Sequence, residues 1–268
     1  MGLTCLERVS TGIKEIDRML AGGIPKGFIV AVVGEPGCGK TIFCLHFISA
    51  GLNEGEGGIF ITTEESRESI LRQAEQFNLG FEEGLREHKL VIVDALMRSK
   101  EDKYTISSLE VEELIQKIIE VKRELGYGHV RVVIDSLSAF WLDKPAMARR
   151  YSYLVKKVLS KWNMTVIVTS QYAISTSEAF GFGVEHVADG IIRFRRAVRR
   201  GVLKRYLIIE KMRQTPHDLR MYEIAIVDGK GLVVLGPTAW RKEDVALPEE
   251  VRRRILAAKD RREGEVPP

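Results

Sequence analysis

At 268 residues, 45 % of them hydrophobic, the chain suits one generous domain or a domain with a tail, and it is apolar enough to bury a real core. No apolar run approaches the roughly 20 residues that cross a bilayer. The opening M-G-L-T-C-L-E-R has no secretory h-region and, with Leu6, no complete myristoylation pattern, so a cytoplasmic protein without membrane contact is expected. Net charge is only +4 in a densely charged chain, and Cys5, Cys38 and Cys44, with no C-x-x-C spacing, argue against a zinc site or a disulfide framework. Asn occurs only at 53, 78 and 163, and abundant charge with few amides is the composition of a hot-living organism.

In chain order, the pattern predicts strands at 28–33, 58–62, 90–93, 130–134 and 165–169. Amphipathic helices are predicted between them at 41–53, 68–78, 109–125 and 146–163. Near-continuous apolar strands alternating with helices point to a parallel sheet covered on both faces. Runs at 190–194, 203–210, 221–227 and 232–235 follow with no helix between them, so the sheet should end in hairpin-like strands, with Asp228-Gly229 as a tight turn. Past Gly236-Pro237 the composition shifts to mostly charged residues. The expected organisation is a folded domain over 1–236 and a charged tail, helical or partly disordered, over 237–268.

Residues 34–41 read Gly34-Glu35-Pro36-Gly37-Cys38-Gly39-Lys40-Thr41, the complete phosphate-loop pattern, set between a buried-type strand and a helix. The glycines let backbone N–H groups turn inward around an anion, and the helix start adds its positive dipole end. Lys40 would supply a point charge to the β and γ phosphates, and the Thr41 hydroxyl would ligate Mg²⁺. Asp135, after the run 131–134, places a carboxylate at the carboxyl end of a strand, where open α/β sheets bind ligands, and is the second expected metal ligand. Asp94 has similar placement without that context and reads as structural. Hydrolysis also needs a group that orients or deprotonates water, and the run 59–63 ends in Glu64-Glu65. Alternation along a strand would turn one carboxylate towards the γ-phosphate. The alternative is that both decorate the first turn of the next helix.

Thr11-Gly12-Ile13-x-x-Ile16-Asp17-x-Met19-Leu20-x-Gly22-Gly23-Ile24-Pro25-x-Gly27 precedes the loop. Together with Glu64-Glu65 and Val133-Ile134-Asp135-Ser136-Leu137, it resembles the RecA superfamily, most closely its KaiC-like branch, over about residues 4–236. The resemblance implies an α/β RecA-like ATPase core with a mainly parallel sheet flanked by helices and C-terminal antiparallel strands. It also implies ATP and Mg²⁺ as cofactors and rings or filaments with ATP at subunit interfaces. Lys211-x-Arg213-x-x-x-His217 resembles the segment with which a KaiC-like subunit reaches its neighbour's γ-phosphate, implying Lys211 and Arg213 as cations acting in trans. By the same comparison His217 and Asp228 lie beside the nucleotide, and Gln171 matches a position that senses γ-phosphate in recombinases. Glu185-His186 stand where the clock protein of the family carries its phospho-accepting Ser-Thr pair, so autokinase chemistry is not implied. Only about ten residues precede the core where recombinases carry a polymerising extension, and the likeness is to single-domain archaeal paralogues of the RadA recombinase.

The densest basic stretch runs from Arg193 to Arg205, including Lys204, and its two pairs near a predicted turn, Arg195-Arg196 and Arg199-Arg200, suit a phosphate backbone. The segment 172–186 holds Phe180 and Phe182, rings that could stack on the bases of single-stranded DNA. Arg252–Arg254, Arg261 and Arg262 in the tail could add contacts. The bland alternatives are a solvated hairpin or a subunit interface, buried phenylalanines, and an ordinary charged helix. The resulting expectation is a Mg²⁺-dependent ATP hydrolase, oligomeric, binding single-stranded DNA as an accessory factor in recombination or repair, with a recombinase as a possible partner. The alternative is a regulatory or signalling ATPase acting on protein partners without DNA.

Overall fold

The computed structural model describes residues 6–97, 102–141, 145–171 and 184–238. Contacts group Met1–Gly236 as one unit and Pro237–Pro268 as another, and the elements described below belong to the first, save the last residue of the final strand. The expected tail helix, with Arg252–Arg254, Arg261 and Arg262, lies outside the described residues, as do Phe180 and Phe182.

The elements in chain order are β1 (Arg8–Val9), α1 (Lys14–Met19), β2 (Ile24–Pro25), β3 (Ile29–Gly34), α2 (Lys40–Asn53), β4 (Gly57–Thr62), α3 (Arg67–Gln76), α4 (Phe81–Arg86), β5 (Leu90–Asp94) and α5 (Val111–Glu124). There follow β6 (Val130–Asp135), two short 3-10 turns (Leu137–Trp141 and Pro145–Met147), α6 (Ala148–Leu159), β7 (Met164–Gln171), α7 (Val184–Val187), β8 (Gly190–Arg199), β9 (Val202–Met212), β10 (Tyr222–Val227) and β11 (Gly231–Pro237). Among the described residues a nine-stranded sheet runs β11-β10-β9-β8-β3-β7-β6-β4-β5, and β1 pairs with β2. Strands β5, β4, β6, β7, β3 and β8 are mutually parallel; β9 returns antiparallel to β8, and β10 to β9.

The central strands are buried on both faces, as their continuous apolar runs demand. Val30 and Val32 of β3, Phe60 of β4 and Val133 of β6 pack against α2, α3 and the C-terminal strands. The alternate residues Ala31, Val33, Ile61 and Ile134 pack against α5 and α6. Every strand and helix predicted up to residue 169 forms, with ends shifted by a few residues. The helix expected at 146–163 begins later, because a 3-10 turn occupies Pro145–Met147, and ends earlier, at Leu159. The short α1 escaped the periodicity because its shape comes from polar contacts: the Asp17 carboxylate accepts from Thr11 N (2.7 Å), Thr11 Oγ1 (2.7 Å) and Ser10 Oγ (2.6 Å). The β8–β9 ribbon is longer than predicted, since its outer half pairs exposed residues that carry no alternating apolar signal. Its two-residue turn, Arg200-Gly201, has φ of 51° and 78°, the left-handed geometry of a tight hairpin. Asp228-Gly229 forms the turn between β10 and β11, with Lys230 N donating to Val227 O (3.1 Å).

A buried network ties the amino-terminal segment to the sheet. The Arg131 guanidinium, fully buried in β6, donates to Glu56 (2.6 Å), Glu54 (2.5 Å), Ser10 O (2.5 Å) and Phe47 O (3.1 Å). Elsewhere on α2, His46 Nε2 accepts from Leu232 N (3.0 Å), which holds the last strand against the helix that follows the phosphate loop. Burial lowers the His46 pKa to about 4, so the ring is neutral in the folded protein at neutral pH. The unfolded chain takes up this proton near pH 6.5 and the folded chain only near 4, so stability present above 6.5 is lost as the pH falls between those values. Denaturant unfolding of the native chain should lose about 3 kcal/mol across that window through His46. The variant His46→Gln, which keeps an acceptor but does not titrate, should lose less by that amount; identical pH profiles for the two proteins would refute this.

Candidate functional site: a phosphate loop completed at one edge of the sheet

The loop leaves β3 at Gly34 and enters α2 at Lys40. A Cβ at Gly34 would collide with the Phe194 carbonyl oxygen, and Gly39 sits at φ 103°, so both positions demand glycine. Lys40 is buried, its Nζ donating to Gly34 O (2.9 Å) and Glu35 O (3.0 Å), both main-chain oxygens of the loop itself. Cys38 is buried beneath it, with Sγ 3.9 Å from Lys40 Nζ, and burial pushes the thiol pKa up, so it serves as packing in the loop. Pro36 and Glu35 are half-buried and Gly37 is exposed.

Opposite the loop stands Asp135 at the end of β6. One carboxylate oxygen accepts from Thr41 Oγ1 (2.6 Å) and the other from Thr169 Oγ1 of β7 (2.5 Å). Burial raises the Asp135 pKa, which the two hydroxyls partly offset and the nearby Glu64 carboxylate reinforces. A buried carboxylate beside a hydroxyl, facing a phosphate loop, is a hard-oxygen pair of the kind that shares Mg²⁺ with phosphates and water. The described residues hold no cluster of three or more His, Cys, Asp or Glu that would bind a metal unaided, so Thr41 and Asp135 fit Mg²⁺ only together with a nucleotide. Thr63 fastens the neighbouring strand end: its N donates to Asp135 O (2.8 Å) and its Oγ1 accepts from Ser136 N (2.9 Å).

Glu64 and Glu65 part company, though not through strand alternation. Strand β4 stops at Thr62, whose hydroxyl donates to Glu65 O (2.7 Å), so both glutamates lie in a turn ahead of α3. Glu65 reaches into the helix, accepting from Ser69 Oγ (2.6 Å) and closely from Gln73 Nε2. Glu64 is exposed and lies near enough to Asp135 to reinforce its protonation. Asp94 is structural, as expected: its carboxylate accepts from the main-chain N–H groups of Leu96 and Met97 (both 2.8 Å) and Arg67 (3.2 Å).

Lys211 and Arg213 occupy the other edge of the sheet. In β9, Lys211 pairs with Ile191 and Met212 with Gly190, whereas the phosphate loop begins at the level of Phe194. Arg213 N donates to Asp189 O, five residues before Phe194, which at strand spacing is about 16 Å from the loop. Lys211 Nζ donates to Ala188 O (2.7 Å), and burial followed by repulsion from Arg213 lowers its pKa. His217 is half-buried, Nδ1 lies 3.2 Å from Thr215 O, and its buried Nε2 has no partner among the described residues. Arg8 NH1 steadies this loop through Thr215 Oγ1 (3.1 Å). Asp228, on the β10–β11 turn, accepts from Gln76 Nε2 (3.0 Å). Gln171 ends β7 beside Gly34.

Of the basic ribbon, Arg196 turns back onto the loop: its N donates to Glu35 Oε2 (3.2 Å), with Nε 3.8 Å from the same oxygen. Arg195, Arg199 and Arg200 are exposed. Arg205, which the sequence placed only in the basic stretch, donates to Gly37 O (3.0 Å), a contact that sequence reasoning missed along with Thr169. Thr169 closes the run 165–169, so its position at a strand end was visible; that β7 lies beside β6 was not.

Compared with known proteins, residues 9–239 match the family model described as ATPase: KaiC. The chain belongs to the KaiC ATPase family. It is 40 % identical to a UPF0273 protein of Methanopyrus kandleri over 229 residues, covering 83 % of this chain and 90 % of that one. It is 39 % identical to a UPF0273 protein of Thermotoga maritima over 235 residues, covering 85 % and 96 %. Among solved structures, the KaiC-like protein of the hyperthermophilic archaeon Pyrococcus horikoshii superposes with a TM-score of 0.73 at 30 % identity, covering 86 % of this chain and 99 % of that one. The RecA-like architecture read from the sequence is thus the architecture of the KaiC family. No helix among the described residues is long and apolar enough to cross a membrane.

Proposed function

We propose that this KaiC-family chain is a Mg²⁺-dependent ATP hydrolase whose catalytic site is divided between subunits. The observation that carries the proposal is placement. Lys40, Thr41, Asp135 and Glu64 meet at the carboxyl edge of the sheet, while Lys211 and Arg213 stand at the amino edge, beyond reach of their own phosphate loop. An arginine side chain spans about 7 Å, well short of the about 16 Å given by strand spacing. A neighbour's loop is the partner these cations can serve.

On this reading Lys40 leaves Gly34 O and Glu35 O for the phosphate oxygens. Thr41 and Asp135 would hold the divalent cation, which when bound would supply neutralising charge to the phosphates. Glu64 orients the attacking water and accepts its proton. Glu65, bound to Ser69 and Gln73, fixes the turn that carries Glu64. Mixing Arg213→Ala subunits with Glu64→Gln subunits should restore turnover that neither has alone, because one interface in the mixture has both intact halves. Glu65→Gln should cost turnover far less than Glu64→Gln. Failure of the Arg213→Ala and Glu64→Gln mixture to recover would refute a divided site.

For the partner, we propose single-stranded DNA at the tip of the β8–β9 ribbon, in an accessory role in recombination or repair. The support is the exposed trio Arg195, Arg199 and Arg200. Part of the stretch is charge-paired within the chain: Arg193 with Glu210, Arg196 with Glu35 and Lys204 with Glu223. A regulatory ATPase acting on a protein is the second reading, favoured by Val198 (68 % exposed) and Val202 (59 %) at the same tip. Oligonucleotide binding through three arginines should weaken with a log–log salt slope of about −2 and disappear in the triple alanine variant. Absent binding selects the protein partner, and binding unchanged in that variant refutes the ribbon tip as the DNA site.

A further inference from the structure

Asp189 precedes β8 at the amino edge and is the meeting point of the cations there. Its Oδ1 accepts from Lys156 Nζ of α6 (2.5 Å) and from Arg213 NH1 (3.1 Å), and its Oδ2 from Ile29 N (3.2 Å). Its main chain is tied in as well: Asp189 N donates to Ile29 O (2.8 Å) and Asp189 O accepts from Arg213 N (2.9 Å). Lys156 Nζ also donates to Val187 O (2.7 Å), and Lys211 Nζ to Ala188 O (2.7 Å), so three cations gather around one carboxylate and the carbonyls before it. The Asp189 side chain is only 14 % exposed, whereas that of Arg213 is 53 % exposed. The carboxylate is therefore the fixed member of the pair and the guanidinium the part that faces outward.

Long cationic side chains are mobile, and a group that must meet a phosphate in a transition state gains from being held near its working position beforehand. Three like charges at one strand end also repel one another. Asp189 answers both needs, since it restrains Arg213 at backbone and side chain and offsets the repulsion that Lys156 and Arg213 impose on Lys211. We propose that Asp189 is the positioning residue of the trans-acting half-site, holding Arg213 and Lys211 ready for a neighbour's nucleotide, with Lys156 as the counter-cation that fixes the carboxylate. This rests on the divided site proposed above. It differs from a purely structural role in the join of β3 and β8 by assigning Asp189 to one half of the interface.

Subunit mixing reads that assignment directly. Asp189→Asn keeps an oxygen for Ile29 N but loses the charge. Its turnover should fall about ten- to a hundredfold, with nucleotide affinity changed by less than about twofold, because the phosphate loop that grips the nucleotide is left intact and Arg213 is misplaced only for the transition state. Mixed with Glu64→Gln subunits it should recover activity; mixed with Arg213→Ala subunits it should not, since both lack the same half. Recovery with Arg213→Ala, recovery with neither partner, or wild-type turnover in Asp189→Asn alone would overturn the proposal. The pair Arg213→Ala with Glu64→Gln is the control: if that pair fails to recover, the divided site itself falls, and the role of Asp189 with it. Should Asp189→Asn not fold, Asp189→Glu, which keeps the charge and displaces it by one methylene, goes through the same mixtures, with the same recoveries expected and the same outcomes overturning the proposal.

Discussion

The 2.6 Å hydrogen bond from Thr41 to Asp135 is the contact on which the rest of the site depends. It joins the first turn of the helix behind the phosphate loop to the end of β6, across the strand β7 that separates β6 from β3. Asp135 is buried, and a buried carboxylate is costly unless its oxygens are occupied. Thr41 and Thr169 each occupy one, which ties the ends of β6 and β7 to the start of α2. A divalent cation with the same two oxygen donors would replace the Thr41 bond without rearranging the sheet, since hydroxyl and carboxylate are already adjacent.

How much of this the sequence disclosed follows from the range of each interaction. The loop 34–41 was readable because one contiguous octet carries its whole chemistry, and the central strands because burial on both faces leaves an unbroken apolar run. Asp135 was readable as a strand-end acid. Its two threonine partners come from the start of α2 and from β7, and strand order does not appear in periodicity, so the role of Thr169 was invisible. The different surroundings of Glu64 and Glu65 were likewise hidden: they come from a turn at Thr62 and from Ser69 and Gln73 one and two helical turns on. Motif likeness named Lys211 and Arg213, but only the register of β8 on β9 places them at the far edge, and only packing brings Lys156 to Asp189.

At the carboxyl edge, Asp135 and Glu64 stand beside a loop whose buried Lys40 and backbone N–H groups suit an anion. At the amino edge, Lys156, Lys211 and Arg213 outnumber the single carboxylate of Asp189. Stacking the amino-edge cations of one copy on the loop of the next would set that positive surplus against the phosphates, and the bound nucleotide would sit where the two copies meet. Such an arrangement couples assembly to nucleotide binding, because each is incomplete without the other.

The most direct test of a site divided between copies is the turnover per subunit as a function of protein concentration at saturating ATP and Mg²⁺, followed alongside the molecular mass in solution. A divided site predicts that turnover rises with the assembled fraction and vanishes in the dilute monomer. Turnover per subunit that stays constant down to a monomeric solution would contradict it.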